Sequence, residues 1–113
     1  MSRIILAALA VMVAVLALPN FASDARAQEI TVIIKNHRFE PTELRIPANK
    51  RVTIYVDNQD PTPEEFESVS MKVEKIIPGK SKGLVRVGPL TPGRYDFFGD
   101  FNQATAKGVL IAE

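Results

Sequence analysis

The residues of this sequence that could do chemistry are few and lie far apart. Three of them carry different donors for a metal ion: the imidazole of His37, the carboxylate of Glu67 and the thioether of Met71. Such a mixed set of nitrogen, oxygen and sulfur suits copper or ferrous iron, whereas carboxylates alone suit a harder ion. We therefore take these three residues as the candidate metal ligands. The simpler alternatives are a surface histidine, an acidic loop and a methionine that fills the core.

The acidic residues before Met71 favour the simpler alternative. Glu64 and Glu65 end a stretch with two prolines and no periodicity, and Glu67 follows closely. We expect all three to be solvated carboxylates. Glu65 and Glu67 would point to the same side of an extended chain, but no apolar neighbour predicts a raised pKa for them. An enzyme is not expected either, because the single histidine would have to act alone as a base.

The elements that must position these residues are strands. Arg51 to Asp57 alternates between apolar and polar residues, as a half-buried strand does. Val69, Met71 and Val73 alternate in the same way and predict another strand. Seven such segments are spaced by turns, and none shows a helical period: residues 29–35, 44–46, 51–57, 68–74, 85–87, 94–97 and 109–111. The pattern predicts an all-β fold, a small β-sandwich of about seven strands with Greek-key connections.

The first residues predict a signal peptide. A basic start is followed by 15 apolar residues, Ile4 to Leu18, and by an Ala-x-Ala cleavage site that ends at Ala27. We expect residues 1–27 to be removed and residues 28–113 to form one domain in the periplasm or outside the cell. That domain would carry 12 basic and 12 acidic residues. This balance argues against nucleic-acid binding, which requires a basic surplus.

The end of the chain resembles the cupredoxins. A turn at Pro92 and Gly93 leads into a Tyr-x-Phe strand, and after a loop the chain ends in a Gly-x-Leu strand at Gly108. In cupredoxins this loop holds the copper ligands. Laid on that pattern, three positions of this chain stand where the cysteine, the histidine and the methionine would be: Gly99, Asn102 and Ala106. The resemblance thus implies a cupredoxin-like sandwich.

Other segments are similar to one branch of that family. Residues 62–68, 74–79 and 88–90 resemble EfeO-type cupredoxin-like domains, exported bacterial proteins often linked to ferrous-iron uptake permeases. The resemblance implies an accessory role in iron or copper uptake, with a membrane iron permease or another periplasmic protein as the partner. In that branch, histidines often stand at the positions that Val69 and Asn102 occupy here.

The missing cysteine restricts what the chain could do with a metal. A type 1 copper centre needs a thiolate and two imidazoles, and the chain has no cysteine and one histidine. We therefore expect no blue-copper centre, and Fe and Cu remain the candidate ions for another kind of site. The alternative is a metal-free module, a monomer or weak dimer, that docks a periplasmic or membrane partner through its loop end. Phe98, Phe101 and Asn102 are the candidate residues for that contact.

Overall fold

The computed structural model describes residues 28–113, so the predicted signal peptide lies outside the described part of the chain. This part forms nine strands and one 3₁₀ helix, Asp100–Asn102, and no α-helix. The strands are β1 (Gln28–Lys35), β2 (Arg38–Glu40), β3 (Glu43–Ile46), β4 (Val52–Asn58), β5 (Glu64–Ser68), β6 (Val73–Ile77), β7 (Ser81–Val87), β8 (Gly93–Gly99) and β9 (Lys107–Ala112). The predicted all-β class is confirmed.

The strands form two sheets. The four-stranded sheet has the order β2-β1-β4-β7, and the five-stranded sheet has the order β3-β9-β8-β5-β6. Each sheet contains one parallel pair, β1 with β4 and β3 with β9, and the other pairs are antiparallel. Neighbouring strands are mostly not consecutive in sequence, so the chain passes repeatedly from one sheet to the other. The predicted β-sandwich is thereby confirmed.

The core lies between the sheets and is centred on three phenylalanines, one from each of β2, β5 and β8. The rings of Phe66 and Phe97 stack with their centroids 5.0 Å apart. Phe39 meets both rings edge-on, at 5.8 and 4.9 Å. Each such pair contributes about 0.5–1.5 kcal/mol beyond the burial of its surface. β9 passes this cluster with Gly108, where a Cβ atom would lie 2.2 Å from the Phe97 ring.

The structure has nine strands where the sequence predicts about seven. One of the additional strands is the short β2. The other arises because the predicted strand over residues 68–74 is wrong: β5 ends at Ser68, the chain turns, and β6 begins at Val73. A strand would place Val69 and Met71 on the same face, but in this turn Val69 is 78% exposed and Met71 is buried. Ser68 Oγ stabilises it by accepting a hydrogen bond of 3.2 Å from the Met71 N–H.

No helix in residues 28–113 combines the length and the apolar character that crossing a membrane requires.

Candidate functional site

The loop between β8 and β9, residues 99–106, closes one end of the sandwich; we call it the closing loop. Its two ends are joined by a hydrogen bond of 2.9 Å from the Gly99 N–H to the Ala106 carbonyl. The 3₁₀ helix lies inside it, and the Asn102 carbonyl accepts a bond of 2.8 Å from the Ala106 N–H. Thr105 Oγ1 donates to the His37 carbonyl at 2.6 Å. The closing loop is thus fixed to the turn between β1 and β2.

Glu64 is buried beneath the closing loop, so the expectation that it is a solvated carboxylate is wrong. β5 begins at this residue and buries every second side chain, which turns Glu64, Phe66 and Ser68 inward. The side chain of Glu64 is 1% exposed. Its carboxyl group accepts hydrogen bonds from the Phe101 N–H at 2.9 Å and from Asn102 Nδ2 at 2.7 Å. The backbone N–H of Glu65 adds a third bond at 3.0 Å.

Glu64 meets the three positions that the resemblance assigns to copper ligands; we call Glu64, Gly99, Asn102 and Ala106 the Glu64 cluster. A Cβ atom on Gly99 would lie 2.5 Å from the Glu64 carboxyl carbon and 2.7 Å from the Ala106 Cβ. The carboxyl group therefore occupies the space next to these positions. The polar side chains of the cluster are one carboxylate and one amide. These donors do not match the thiolate and imidazoles of a type 1 copper centre.

On the outer face of the same strands, three carboxylates converge: Glu65, Glu67 and Asp100. One oxygen from each lies within 4.8 Å of the others. The strand register explains this, because Phe66 pairs with Gly99 and Glu67 with Phe98, which brings the outward residues of β5 next to Asp100. Within residues 28–113 this is the only group of three or more histidine or acidic side chains that is so close together. Such oxygens could ligate a hard cation, although exposed carboxylates often cluster without one.

The pKa of Glu67 is raised to about 7, which corrects the expectation of an unshifted pair. Partial burial is the first cause, followed by a hydrogen bond with Glu65 and by the negative charges of Glu74 and Asp100. The raised pKa could not be predicted from the sequence, because the sequence does not show which residues lie opposite Glu67 on the neighbouring strands. Glu74 lies directly across from Glu67 in the register of β5 and β6. Like charges at such short range favour the protonated carboxyl.

The other two predicted metal ligands lie in different surroundings. His37 is in the turn between β1 and β2, with its side chain 46% exposed, and its Nδ1 is 3.7 Å from Asp60 Oδ2. Met71 is a core residue, 8% exposed. The close group of carboxylates contains Glu67 without His37. The combination of His37, Glu67 and Met71 as one ligand set stays a prediction.

Asp60 and Asn58 position this end of the sandwich, and the sequence analysis missed both. The Asp60 carboxylate accepts hydrogen bonds from the backbone N–H groups of Asn36 at 2.8 Å and His37 at 2.9 Å. Asn58 is fully buried, and its Nδ2 lies within 2.9–3.2 Å of three backbone carbonyls. The available signal was an Asn-x-Asp sequence directly after the clearest strand, since these side chains often cap backbone turns.

The pKa of Asp60 is lowered from its ordinary value. Burial by itself would raise it, but the N–H groups of His37 and Asn36, with the nearby charges of His37 and Lys80, outweigh that effect. The charged carboxylate is therefore the form that fits this position.

The residues predicted to contact a partner lie in the closing loop or next to it. Phe101 exposes 49% of its surface. Phe98 is half-buried on the outer face of β8, and Asn102 is half-buried with its amide directed at Glu64. Phe98 and Phe101 thus present apolar surface at this end, whereas the Asn102 side chain already has an internal partner.

Comparison with known proteins places this fold in a family. The family model described as "Cupredoxin-like domain" matches residues 5–112. The chain belongs to the cupredoxin-like family. An uncharacterized protein of Rickettsia prowazekii (strain Madrid E), RP394, is 40% identical over 84 residues, which are 74% of this chain and 66% of that protein. The chain thus spans just under two thirds of the length of this relative.

Solved structures of copper proteins share the cupredoxin-like fold. Auracyanin A, a "blue" copper protein from Chloroflexus aurantiacus, superposes with a TM-score of 0.67 at 15% identity, over 78% of this chain and 100% of the other. The metal-binding domain of the Cu(I)-exporting P-type ATPase CopA from Streptococcus pneumoniae D39 gives 0.64 at 16% identity, over 75% and 84%. At such identities the likeness concerns the fold alone.

Proposed function

We propose that this cupredoxin-like domain is an exported accessory of metal uptake, that it has no type 1 copper centre, and that it is not an enzyme. It acts by docking a partner, a membrane permease for iron or copper, through the closing loop. The observation that carries the proposal is the Glu64 carboxyl group, which fills the space beside Gly99 and Ala106 and is hydrogen-bonded to Asn102.

The proposal that a type 1 copper centre is absent is supported by the donors as well as by the space. A thiolate is the ligand that gives a type 1 centre its properties, and the chain has no cysteine. The purified protein should therefore stay colourless when a cupric salt is added. A deep-blue holoprotein would contradict this part of the proposal.

The assignment to metal uptake is supported by the family and by the resemblance of residues 62–68, 74–79 and 88–90 to EfeO-type domains. Docking is supported by Phe101, since a large apolar side chain that is 49% exposed at the end of a small domain is suited to protein contact. The role is that of a binding module within a metal-handling system.

The experiment measures the uptake of radioactive ferrous iron and copper by cells that lack the protein. Uptake of one metal should fall and should be restored by the wild-type chain but not by Phe101→Asp. Leu84→Asp is the matched control, because Leu84 is 44% exposed on β7, in the opposite sheet. Normal uptake of both metals in the deleted cells would contradict the proposed role.

The second candidate function is a docking module outside metal transport, and the exposed Phe101 favours it equally. The same experiment distinguishes the two candidate functions. Uptake of both metals would be normal, and Phe101→Asp would abolish binding to a partner that is not a metal transporter.

A further inference from the structure

Glu64 connects a strand of the five-stranded sheet to the closing loop across 37 residues of sequence. In a type 1 centre, a metal ion bound to side chains of this loop would make such a connection. We propose that Glu64 is a positioning residue that performs the structural task of that ion. It holds the closing loop, and with it Phe101, in one conformation without a bound metal. This inference goes beyond the proposed function, because it would stand even if the loop docked nothing.

The hydrogen bonds show how one side chain can hold the whole 3₁₀ helix. Oε1 accepts from the Phe101 N–H at 2.9 Å, and Oε2 accepts from Asn102 Nδ2 at 2.7 Å, so each oxygen has its own partner in the loop. Oε1 also accepts from the Glu65 N–H at 3.0 Å, which fixes the carboxyl group relative to β5. Within residues 28–113, no buried side-chain nitrogen or oxygen lacks a partner. The carboxyl group is therefore compensated for its burial.

The small residues of the Glu64 cluster leave room for this arrangement. Gly99 has no Cβ, and one placed there would come within 2.7 Å of Glu64 Oε2 and of the Ala106 Cβ. Ala106 is itself fully buried. A cysteine at position 99 and the carboxyl group of Glu64 would therefore compete for the same space.

The same contact determines what the closing loop shows to solvent. Phe101 donates its backbone N–H inward to Glu64, while its ring is 49% exposed. Fixing this N–H fixes the direction in which the ring leaves the loop. A domain built in this way presents the ring whether or not metal is available, whereas a loop held by an ion would present it only when the ion is bound.

The test is hydrogen exchange of the Phe101 amide, measured residue by residue by NMR. In Glu64→Ala the amide should exchange at least roughly tenfold faster, since one hydrogen bond corresponds to about a tenfold change in the opening equilibrium. The amide of Ile54 in the central strand β4 exchanges through global unfolding and is the internal reference for the loss of global stability. Glu64→Gln keeps one oxygen that can accept from Phe101 but places an NH₂ group opposite the Asn102 donor, so its exchange should be faster than in the wild type and slower than in Glu64→Ala.

The second arm of the test concerns metal. In the wild-type protein, adding a chelator or a cupric salt should leave the exchange of the Phe101 amide unchanged. Loss of protection in the chelator would overturn the proposal. So would unchanged exchange at Phe101 in a folded Glu64→Ala variant. These results do not depend on the uptake assay, so failure of this inference and failure of the proposed function are distinguishable.

If Glu64→Ala does not fold, Asn102→Ala provides the same comparison with a smaller change. It removes the bond to Oε2 and leaves the bond from Phe101 to Oε1 in place. The Phe101 amide should then exchange several-fold faster than in Lys107→Ala, which changes an exposed residue directly after the loop. Equal exchange in the two variants would overturn the proposal.

Discussion

The backbone N–H of His37 donates a hydrogen bond of 2.9 Å to the carboxylate of Asp60, 23 residues away in sequence. The same carboxylate accepts from the Asn36 N–H. Both turn residues have a left-handed backbone, with φ of 53° and 57°. The His37 carbonyl in turn accepts from Thr105 in the closing loop. Asp60 therefore holds the turn between β1 and β2 in place, and this turn in turn contacts the closing loop.

We predict that Asp60→Asn destabilises the protein by about 1.5–3 kcal/mol at pH 7, because hydrogen bonds to a charged group are replaced by weaker ones. Urea denaturation measures the change. Asp57→Asn is the matched control, since Asp57 is half-buried near the end of β4, shortly before Asp60, and its carboxylate accepts a hydrogen bond from the exposed side chain of Gln59. An equal effect of the two substitutions would contradict the assigned role.

The pH dependence of Asp60 follows from its lowered pKa. A carboxyl whose pKa is lower in the folded state stabilises the fold above its unfolded pKa of about 3.9, and this contribution is lost as the pH falls through the folded value. The difference in unfolding free energy between wild type and Asp60→Asn should therefore be constant from neutral pH down to about pH 4 and should shrink below it. A difference that grows on acidification would refute this explanation.

Asn58 leads to a second prediction about the same region. Its Nδ2 lies within hydrogen-bond distance of the carbonyls of Thr62, Ile77 and Pro78, and its Oδ1 accepts from the Asp60 N–H at 3.1 Å. Asn58→Ala leaves these groups without their partner, at a cost of about 1–3 kcal/mol for each one that stays buried. We expect a total loss of at least about 3 kcal/mol in urea denaturation. Gln59→Ala, an exposed neighbour, should change stability by less than about 0.5 kcal/mol.

Much of the fold could be predicted from the sequence, because its strands alternate clearly. β4 buries Val52, Ile54 and Val56, as its pattern indicates. The alternation of Val69 and Met71 predicts a strand that is not there, because the chain turns after Ser68, exposes Val69 and buries Met71. Periodicity therefore predicts burial only where the chain between the apolar residues is extended.

The candidate site could be predicted less well, because its key contacts are distant in sequence. A glutamate after two prolines is typical of a solvated loop, and Glu64 is buried because its partners Phe101 and Asn102 lie 37 and 38 residues further on. The convergence of Glu65 and Glu67 with Asp100 depends likewise on the pairing of β5 with β8. The positions Gly99 and Asn102 were found only by the resemblance to cupredoxins.

The fit between Glu64 and Gly99 predicts the result of a double-mutant cycle. Gly99→Ala should destabilise the protein by about 1–3 kcal/mol, because the new Cβ would lie 2.5 Å from the Glu64 carboxyl carbon. The Gly99 backbone is extended, with φ of −93°, so alanine adds no backbone strain. In a Glu64→Ala background the cost should fall, leaving the contact with Ala106. Equal costs in both backgrounds would show that Glu64 does not fill this space.

The raised pKa of Glu67 predicts that one substitution stabilises the protein above neutral pH. Its pKa is about 7 when folded, against an ordinary value of 4.5, so the folded state holds the proton more tightly than the unfolded state. Ionisation then works against folding: the penalty is absent below about pH 4.5, grows as the pH rises, and is complete above about pH 7.

Glu67→Gln removes this penalty. Relative to wild type, the variant should gain stability in urea as the pH rises from 4.5 to 8. A gain that is the same at every pH would mean that the ionisation of Glu67 is not its cause.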